Sequence, residues 1–211
     1  MQKEELDRIS REYGIPVKQL NRLNKNNWYH GTTLDAYYNI RDQGVISSYN
    51  IGTQLDFGTG FYLTDSVESA SKYMGRLPDL GENGELIKRT KWCVIEFEFN
   101  PFELLFKTES NYKFRNFAKH DEEFAKFVFA NRLYNVYNEK PHGYDIIWGV
   151  MSDSIPPEVL LAYQNNEITY EEAIRKLQKP QSMKQLYIGN QTICDMLKIS
   201  NLIEVDEKEE D

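Results

Sequence analysis

Two stretches of the sequence decide the expected fold: WYHGTTLDAYYNIRDQGV at residues 28–45 and DFGTGFYLTDSVESASKYM at residues 56–74. Each opens with a short aromatic segment and continues into a segment with the periodicity of an amphipathic helix. In the first stretch His30 stands directly before a glycine and two threonines. In the second, two glycines precede the segment that holds Tyr62. The two stretches predict two strands, each followed by a helix, and they place His30 and Tyr62 among the candidates for a ligand site.

Composition limits the classes of protein to consider. The chain has 211 residues, 40% of them hydrophobic and 13% aromatic, and a formal net charge of −8. This length and composition predict one domain with a well-filled core. The acidic balance argues against a broad basic surface for nucleic acid.

Cys93 and Cys194 lie among apolar residues and outside metal-binding spacings, which predicts buried free thiols in a reducing compartment. No signal-like or membrane-spanning segment is visible, so we expect a soluble, cytoplasmic protein that does not contact a membrane.

The order of the predicted elements favours the α+β class, because strands are scattered among helices without a regular alternation. Helical periodicity covers residues 3–25, 34–44, 67–77, 121–137 and 156–178, and strand patterns cover 27–32, 58–64, 91–100, 144–151 and 184–191. Residues 192–199 fit either a short helix or a strand. We expect Asp65 or Ser66 to cap the helix that begins at residue 67 and Thr169 or Asn166 to cap the last one. The strand at 91–100 alternates polar and apolar side chains over much of its length, which is typical of half-buried strands.

The predicted organisation is an N-terminal helical appendage at 1–26, a main domain at 27–203 and a disordered acidic tail at 204–211.

The N-terminal helices have two incomplete resemblances. Gly14 and Pro16 divide residues 3–25 into two short helices, which resemble half of a helix-turn-helix unit and equally the helical middle of a LysM module. A DNA-reading unit needs a third helix, and LysM needs flanking strands. We therefore expect a helical cap or a docking hairpin, with DNA binding as the alternative.

Most familiar catalytic motifs are missing from the sequence. It has no phosphate-binding GxGxxG or Walker loop, no HExxH and no nucleophile elbow. His120 and His142 have no potential ligands at useful spacing, so we predict no metal site.

The motifs that remain resemble those of the ADP-ribosyltransferase superfamily, in its poly(ADP-ribose) polymerase and diphtheria-toxin branch. They are similar above all to a bacterial and phage family with the motifs HGT, DFGxGFYLT and YDIVxG and a late glutamine. In this chain they read HGT at 30–32, DFGTGFYLT at 56–64, YDIIWG at 144–149, and Gln185. The resemblance covers about residues 28–200. It implies a split β-sandwich with helical insertions around a cleft for NAD⁺.

The resemblance also implies a role for each motif residue. His30 would hydrogen-bond the adenosine ribose, the Gly31 backbone would pair with the nicotinamide carboxamide, and Tyr62 would stack on the nicotinamide ring. Gly31 would allow the ligand a close approach to the chain. The catalytic set implied is His30, Tyr62 and Gln185. The NAD⁺-binding set implied is His30, Gly31, Thr32, Gly60, Phe61, Tyr62, Ser69 and Tyr73, and Gly58 would join Gly60 in keeping the loop free of side chains.

Gln185 stands where a glutamate is usual in this superfamily. A glutamine carbonyl accepts a hydrogen bond from the ribose 2′-hydroxyl, but it carries no charge and cannot act as a base. Polymer extension is therefore not expected, whereas transfer of a single ADP-ribose group is. Asp145 and Glu204 are the alternative sources of a carboxylate.

The resemblance implies mono-ADP-ribosyl transfer from NAD⁺ to a macromolecular acceptor, protein or nucleic acid. It also implies a toxin, defence or effector role, with an antitoxin or inhibitor protein as a further partner. Two alternatives stay open: an inactive module that binds NAD⁺ or ADP-ribose, and a nucleic-acid-binding regulator that acts through residues 3–25. The segments 73–91 and 100–120 are candidate acceptor-facing surfaces, the second because its aromatic and basic side chains are interleaved.

Overall fold

The structure is a computed structural model that describes residues 3–52, 54–81, 83–108, 111–135, 141–152, 155–180 and 183–206. Its helices are α1 Lys3–Tyr13, α2 Val17–Leu23, α3 Leu34–Gln43, α4 Val67–Arg76, α5 Pro101–Phe106, α6 Glu122–Tyr134, α7 Ile155–Gln164, α8 Tyr170–Leu177 and α9 Gln191–Cys194, with a 3₁₀ turn at Ser47–Tyr49. Its strands are β1 Asn27–Thr32, β2 Phe61–Leu63, β3 Pro78–Leu80, β4 Leu86–Lys88, β5 Lys91–Glu98, β6 Phe114–Phe117, β7 Ile146–Val150, β8 Lys184–Ile188 and β9 Lys198–Asp206. The fold is of the α+β class, as the order of elements predicted.

Two sheets carry the fold. The first has the strand order β1-β5-β9 and is antiparallel throughout. The second has the order β2-β8-β7-β6, in which only the β6–β7 pair is parallel. A pair of backbone hydrogen bonds between Tyr29 of β1 and Thr64, just after β2, joins the two sheets at one edge. Strands β3 and β4 form a separate antiparallel hairpin, in a segment for which sequence analysis predicted no strand.

The main core contains residues from both sheets. Trp28 of β1 and Trp148 of β7 are both fully buried, and their rings meet edge to face with centroids 5.4 Å apart. Strand β5 is buried on both faces, contrary to the half-buried strand expected from its alternation. The reason is that helix α4 covers the second face, where Ala70 and Met74 pack against Trp92 and Val94.

Local signals predicted the helix ends well. The Ser66 hydroxyl accepts a hydrogen bond from the Ser69 N–H at the start of α4, and Thr169 forms a complete capping box with Glu172 at the start of α8. Of the two residues proposed for each cap, Ser66 and Thr169 are therefore the ones used. Helix α3 ends at Gly44, whose φ of 80° lies in the region that favours glycine.

The N-terminal hairpin is part of the main core and not an appendage to it. Helices α1 and α2 each contribute buried side chains, and the Trp148 indole N–H donates to Gln19 Oε1 over 2.6 Å. The buried apolar residues of this segment are Leu6, Ile9, Ile15, Leu20 and Leu23. The predicted boundary at residue 26 therefore does not separate two cores, because these helices cover one end of the space between the sheets.

The predicted acidic tail begins too early. Strand β9 continues to Asp206 and pairs with β5, Glu204 lying opposite Cys93. The backbone hydrogen bonds of a sheet edge outweigh the acidic composition here. Residues 192–199 are divided between the end of α9 and the start of β9. Residues 207–211 of the predicted tail, and residues 136–137 of the helix predicted at 121–137, lie outside the described residues.

None of the helices in the described part of the chain is long and apolar enough to cross a membrane. In the same part of the chain, Cys93 and Cys194 are buried free thiols, as predicted. Burial raises the pKa of the Cys93 thiol to about 11, so it stays protonated at neutral pH.

Candidate functional site

A cleft with two adjoining cavities lies where β1 meets β2. The first cavity, of about 560 Å³, is lined by His30, Asn50, Gln54, Leu55, Asp56, Tyr62, Tyr73, Arg76, Leu77, Arg132, Met151, Pro157 and Gln185. The second, of about 680 Å³, has a lining that includes His30, Gly31, Thr32, Thr33, Tyr49, Phe61, Tyr73, Met74 and Arg89. His30, Asn50, Tyr73 and Leu77 line both cavities. A ligand long enough to occupy both would pass His30.

His30 is fixed by one backbone hydrogen bond and one ring contact. Its Nδ1 lies 2.8 Å from the Tyr62 carbonyl oxygen, and its ring packs against Phe61 with centroids 4.4 Å apart. A carbonyl oxygen can only accept, so Nδ1 carries the proton. Burial lowers the pKa of His30 below its usual value, more than the bond to Tyr62 raises it. The imidazole is therefore neutral at pH 7, and its Nε2 is a hydrogen-bond acceptor.

The backbone of Gly31 is directed towards the cleft. The backbone N–H and C=O of Tyr29 both hydrogen-bond to Thr64, so they point away from β5. Backbone groups two residues apart along a strand point the same way, so the Gly31 N–H and C=O also point away from β5. Together they form a donor–acceptor pair that matches a carboxamide.

Packing alone accounts for the absence of a side chain at Gly31, and the expected close approach of a ligand stays a prediction. A Cβ there would lie 2.5 Å from Met74 Cγ and 2.6 Å from the Ala70 carbonyl oxygen. The close packing of α4 against β1 therefore requires glycine, whether or not a ligand approaches.

Tyr62 presents its ring and not its hydroxyl. The hydroxyl donates to the Gly58 carbonyl over 2.6 Å and accepts from the Phe57 N–H over 3.1 Å. The ring meets that of Tyr187 edge to face. Burial raises the pKa of Tyr62 well above its usual value, so it remains a neutral phenol. Gly58 has a φ of 79°, which lets the loop fold back under the Tyr62 hydroxyl.

Gln185 is buried in the first cavity, 5% exposed, and its amide is oriented by Asp56. Its Nε2 donates to Asp56 Oδ2 over 2.8 Å and makes a longer contact of 3.4 Å with the Val150 carbonyl. Among the residues that the structure describes, its Oε1 has no hydrogen-bond partner. Because the amide nitrogen is engaged by the carboxylate, Gln185 offers the cavity an acceptor.

Asp56 is the centre of a buried polar network. Arg132 donates to Oδ1 from Nε over 2.8 Å and pairs with it through Nη2 at 2.7 Å. The backbone N–H of Ser152 donates to Oδ2 over 2.8 Å, and the Ser152 hydroxyl donates to Oδ1. The Asp56 and Arg132 side chains are 2% and 6% exposed, so the two charges compensate each other out of contact with water.

Sequence analysis missed Arg132 and Ser152 and did not assign Asp56 a role beyond its motif. Asp56 is the first residue of DFGTGFYLT, and an aspartate beside buried aromatic residues needs a partner. The partner lies 76 residues further on, on the buried face of α6. That spacing carries no local signal.

The structure brings together six of the eight residues predicted to bind NAD⁺. Those in the linings of the two cavities are His30, Gly31, Thr32, Phe61, Tyr62 and Tyr73. Gly60 is not among the lining residues, and a Cβ there would overlap the ring of Tyr187. Ser69 is also absent from both linings. Its hydroxyl accepts a hydrogen bond from Ser66 in the cap of α4.

The alternative carboxylates do not line either cavity. Asp145 accepts from the Lys113 backbone N–H over 2.7 Å and from Asn190 over 2.8 Å, which makes it a loop-fixing residue. Glu204 lies on β9, on the opposite side of β5 from β1. Of the three residues considered for the third position, only Gln185 lies in the cleft.

Residues 28–199 match the family described as a protein of unknown function (DUF3990), and the chain belongs to this family. The matched span includes every residue of the cleft named above and begins after the N-terminal hairpin. No curated protein and no solved structure matches the chain.

Proposed function

We propose that this DUF3990 protein is a mono-ADP-ribosyltransferase that moves ADP-ribose from NAD⁺ to a macromolecular acceptor and releases nicotinamide. One observation carries the proposal: His30, Tyr62 and Gln185 come from three different strands, β1, β2 and β8, and line one cavity. These are the three positions that the resemblance implied. The two sheets and the cleft between them support the finer assignment of an ADP-ribosyltransferase-like split β-sandwich.

The chemistry of the cleft fits NAD⁺ as substrate. The Gly31 backbone pairs with the carboxamide of nicotinamide, and the ring of Tyr62 packs on the nicotinamide ring. The neutral His30 accepts a hydrogen bond at Nε2 from an adenosine-ribose hydroxyl, and Gln185 Oε1 accepts one from the nicotinamide ribose. Each of these groups has the hydrogen-bonding capacity that its role requires.

The transfer breaks the bond between C1′ of the ribose and the nicotinamide nitrogen, and nicotinamide leaves with the electron pair. The acceptor's nucleophile forms the new bond to C1′ and gives its proton to solvent. The sugar develops positive charge at the transition state, and the oxygen dipole of Gln185 stabilises that charge less than a carboxylate would. This favours single transfer over polymer extension.

The resemblance also supports a role as a bacterial or phage toxin, defence component or effector. An acceptor protein or nucleic acid, and an antitoxin or inhibitor protein, are the partners it implies. The interaction surfaces proposed for the acceptor are the segments 73–91 and 100–120, and the first of them also contributes Tyr73, Leu77 and Arg89 to the linings of the cleft.

The test is transfer of label from ³²P-NAD⁺ to macromolecules in a cell lysate, followed by mass spectrometry of the labelled product. The full chain is compared with His30→Ala, Gln185→Ala and His120→Ala. His120 is a matched control, because it bonds the Met151 carbonyl and lines neither cavity. We expect label with the full chain and His120→Ala, and at least a tenfold loss in the other two variants. Equal labelling by all four proteins would overturn the proposal.

One observation favours a second candidate, a module that binds NAD⁺ or ADP-ribose without transfer. The amide N–H of Gln185 is hydrogen-bonded to Asp56. Among the described residues that line the first cavity, Asp56 is the only one with an acidic side chain, and its charge is already paired with Arg132. NAD⁺ binding measured by calorimetry, together with no labelled macromolecule, would establish this candidate in place of the transferase.

The structure gives little support to a DNA-binding role for residues 3–25. Helix α2 is followed by β1, so the next element is not the third helix that a DNA-reading unit needs. Two basic residues of the segment 3–25 contact the main domain. Arg22 lies 3.8 Å from the Asp65 carboxylate, and Lys25 donates a hydrogen bond to the Asp65 carbonyl over 2.9 Å.

A further inference from the structure

Arg89 lies in the lining of the second cavity, at the turn between β4 and β5. Its side chain is only 11% exposed, which is unusual for an arginine. It comes from the segment between α4 and β5 that also carries the β3–β4 hairpin, and the motifs that placed NAD⁺ in the cleft do not include it. Its position raises the question of what the buried guanidinium binds.

The guanidinium is only partly satisfied by its neighbours. Its Nη2 donates to the Pro78 carbonyl over 3.2 Å and lies 3.6 Å from Asp79 Oδ1. Nε and Nη1 are buried and have no hydrogen-bond partner in the described part of the chain. Buried N–H groups of a charged side chain are rarely left without acceptors, because the lost hydration is not replaced. Both donors are therefore available to a ligand, and because Nε and Nη1 point to different sides of the planar group they suit two separate acceptor oxygens.

The charge of the second cavity points to the same class of ligand. Arg89 is the one charged side chain among the described residues that line it, and none of those residues is acidic. This stands out in a chain with a net charge of −8. Because the lining carries this positive charge and the Asp79 carboxylate that faces it is outside the lining and 49% exposed to solvent, the cavity favours an anion over a neutral or cationic ligand.

The position of Arg89 along the cleft indicates which class of anion would bind there. The two cavities share Tyr73 and Leu77, and Arg76, next to Leu77 in sequence, lines the first cavity. Each of the two cavities is therefore lined by an arginine, Arg76 in the first and Arg89 in the second. A diphosphate that joins two nucleosides would place its negative charge at this passage, with one nucleoside on either side.

We infer that Arg89 binds the diphosphate of a dinucleotide that spans both cavities. The inference rests on the proposed function, and it names the residue that recognises the charged part of the substrate. In the bound state the guanidinium turns so that Nε and Nη1 donate to phosphate oxygens, while Nη2 keeps its contact with Asp79. Arg89 thus discriminates nucleotides from nucleosides, and it does not take part in breaking the glycosidic bond.

The experiment measures the affinity of the full chain for ADP-ribose, ADP and adenosine by isothermal titration calorimetry. The variants are Arg89→Met, which keeps the length of the side chain, and Arg89→Lys, which keeps the charge without the planar fork. Arg175→Met is the matched control, because its side chain is 75% exposed on α8. Thermal melting of each protein checks that it is folded.

We expect Arg89→Met to weaken ADP and ADP-ribose binding by about 10- to 100-fold, with adenosine affinity changed less than about twofold. We expect Arg89→Lys to fall in between and Arg175→Met to match the unmodified chain. Equal losses for ADP and adenosine, or no loss for ADP in a folded Arg89→Met variant, would overturn the inference.

The outcomes for Arg89 and for the transferase can be told apart. If no transfer is found but ADP affinity still depends on Arg89, the inference stands and only the transferase proposal fails. If transfer is found and ADP affinity does not depend on Arg89, the reverse holds. If the unmodified chain binds neither ADP-ribose nor ADP, both fail.

Discussion

The two cavities of the cleft differ in how their polar groups are satisfied. In the first, the lining residues Asp56 and Arg132 bond each other and Ser152, and Gln185 is oriented by that network. In the second, the polar groups include a strand backbone edge at Gly31 and an arginine with two unpartnered donors in the described chain. The first cavity is pre-organised by the protein, whereas the second has hydrogen-bonding capacity that a ligand would complete.

This difference suggests a division of labour. A side chain that stabilises the charge of a transition state acts best when it is held rigidly, because it does not have to reorganise as the charge develops. A group that only binds substrate can be left partly unsatisfied, because the ligand supplies the missing acceptors. We therefore expect substitutions in the first cavity to change stability and substitutions in the second to change affinity.

The largest effect is expected from Arg132→Met. The substitution leaves the Asp56 carboxylate buried without its cation, so we expect the free energy of unfolding to fall by about 3–5 kcal/mol. Urea denaturation followed by circular dichroism measures the change. Arg175→Met, which removes an exposed arginine, should cost less than about 1 kcal/mol. If Arg132→Met and Arg175→Met lower the free energy of unfolding equally, the polar network around Asp56 does not stabilise the first cavity.

A smaller effect is expected from Gln185→Glu, which introduces the residue type usual in the superfamily that the motifs resemble. The introduced carboxylate would face Asp56 Oδ2 where an N–H now donates over 2.8 Å. We expect a loss of about 1–3 kcal/mol in the free energy of unfolding at pH 8 and no gain in transferase activity. Burial and the neighbouring carboxylate raise the pKa of the introduced group in the folded protein, so stability should fall as pH rises through that pKa and return at lower pH.

Gln185→Glu also separates two explanations of the glutamine. If the variant is as stable as the unmodified chain at pH 8 and transfers more ADP-ribose, the glutamine is a weakened version of the usual glutamate. If it is less stable and no more active, the Asp56 network requires an amide at this position.

The smallest of the three effects is expected at His30, where the cavities meet. Burial lowers its pKa in the folded state, so the unfolded chain takes up the proton first as pH falls. The contribution of His30 to stability is present above its unfolded pKa of about 6.5 and is lost as pH falls from there through the lowered folded pKa. Urea unfolding at a series of pH values from 8 to 5 should show a shallower slope for His30→Asn than for the unmodified chain.

His142 contributes to the same pH dependence, because burial also lowers its pKa and its Nε2 donates to the Phe57 carbonyl over 2.8 Å. A His142→Asn variant should therefore flatten the remaining slope. An unchanged slope in His30→Asn would show that the imidazole at the join of the cavities is not held in its neutral form by burial.

Sequence analysis reached the α+β class, the position of most elements and the central residues of the cleft. Its signals were local: the capping residues Ser66 and Thr169, the glycine at the end of α3, and the motifs around His30 and Tyr62. It was wrong where the outcome depended on distant partners. Strand β5 is buried on both faces because α4 covers it, the N-terminal hairpin belongs to the core, and β9 continues into the acidic segment because β5 pairs with it.

The sequence by itself determined which residue types are available to the cleft and roughly where its strands lie, because capping, turn chemistry and side-chain periodicity act within a few residues. Only the tertiary structure decided that Asp56 pairs with Arg132, that Gly31 makes room for α4, and that Arg89 lies buried in the lining of the second cavity. Such pairings depend on the low dielectric of the interior and on close packing between elements far apart in sequence. No local pattern of residues specifies them.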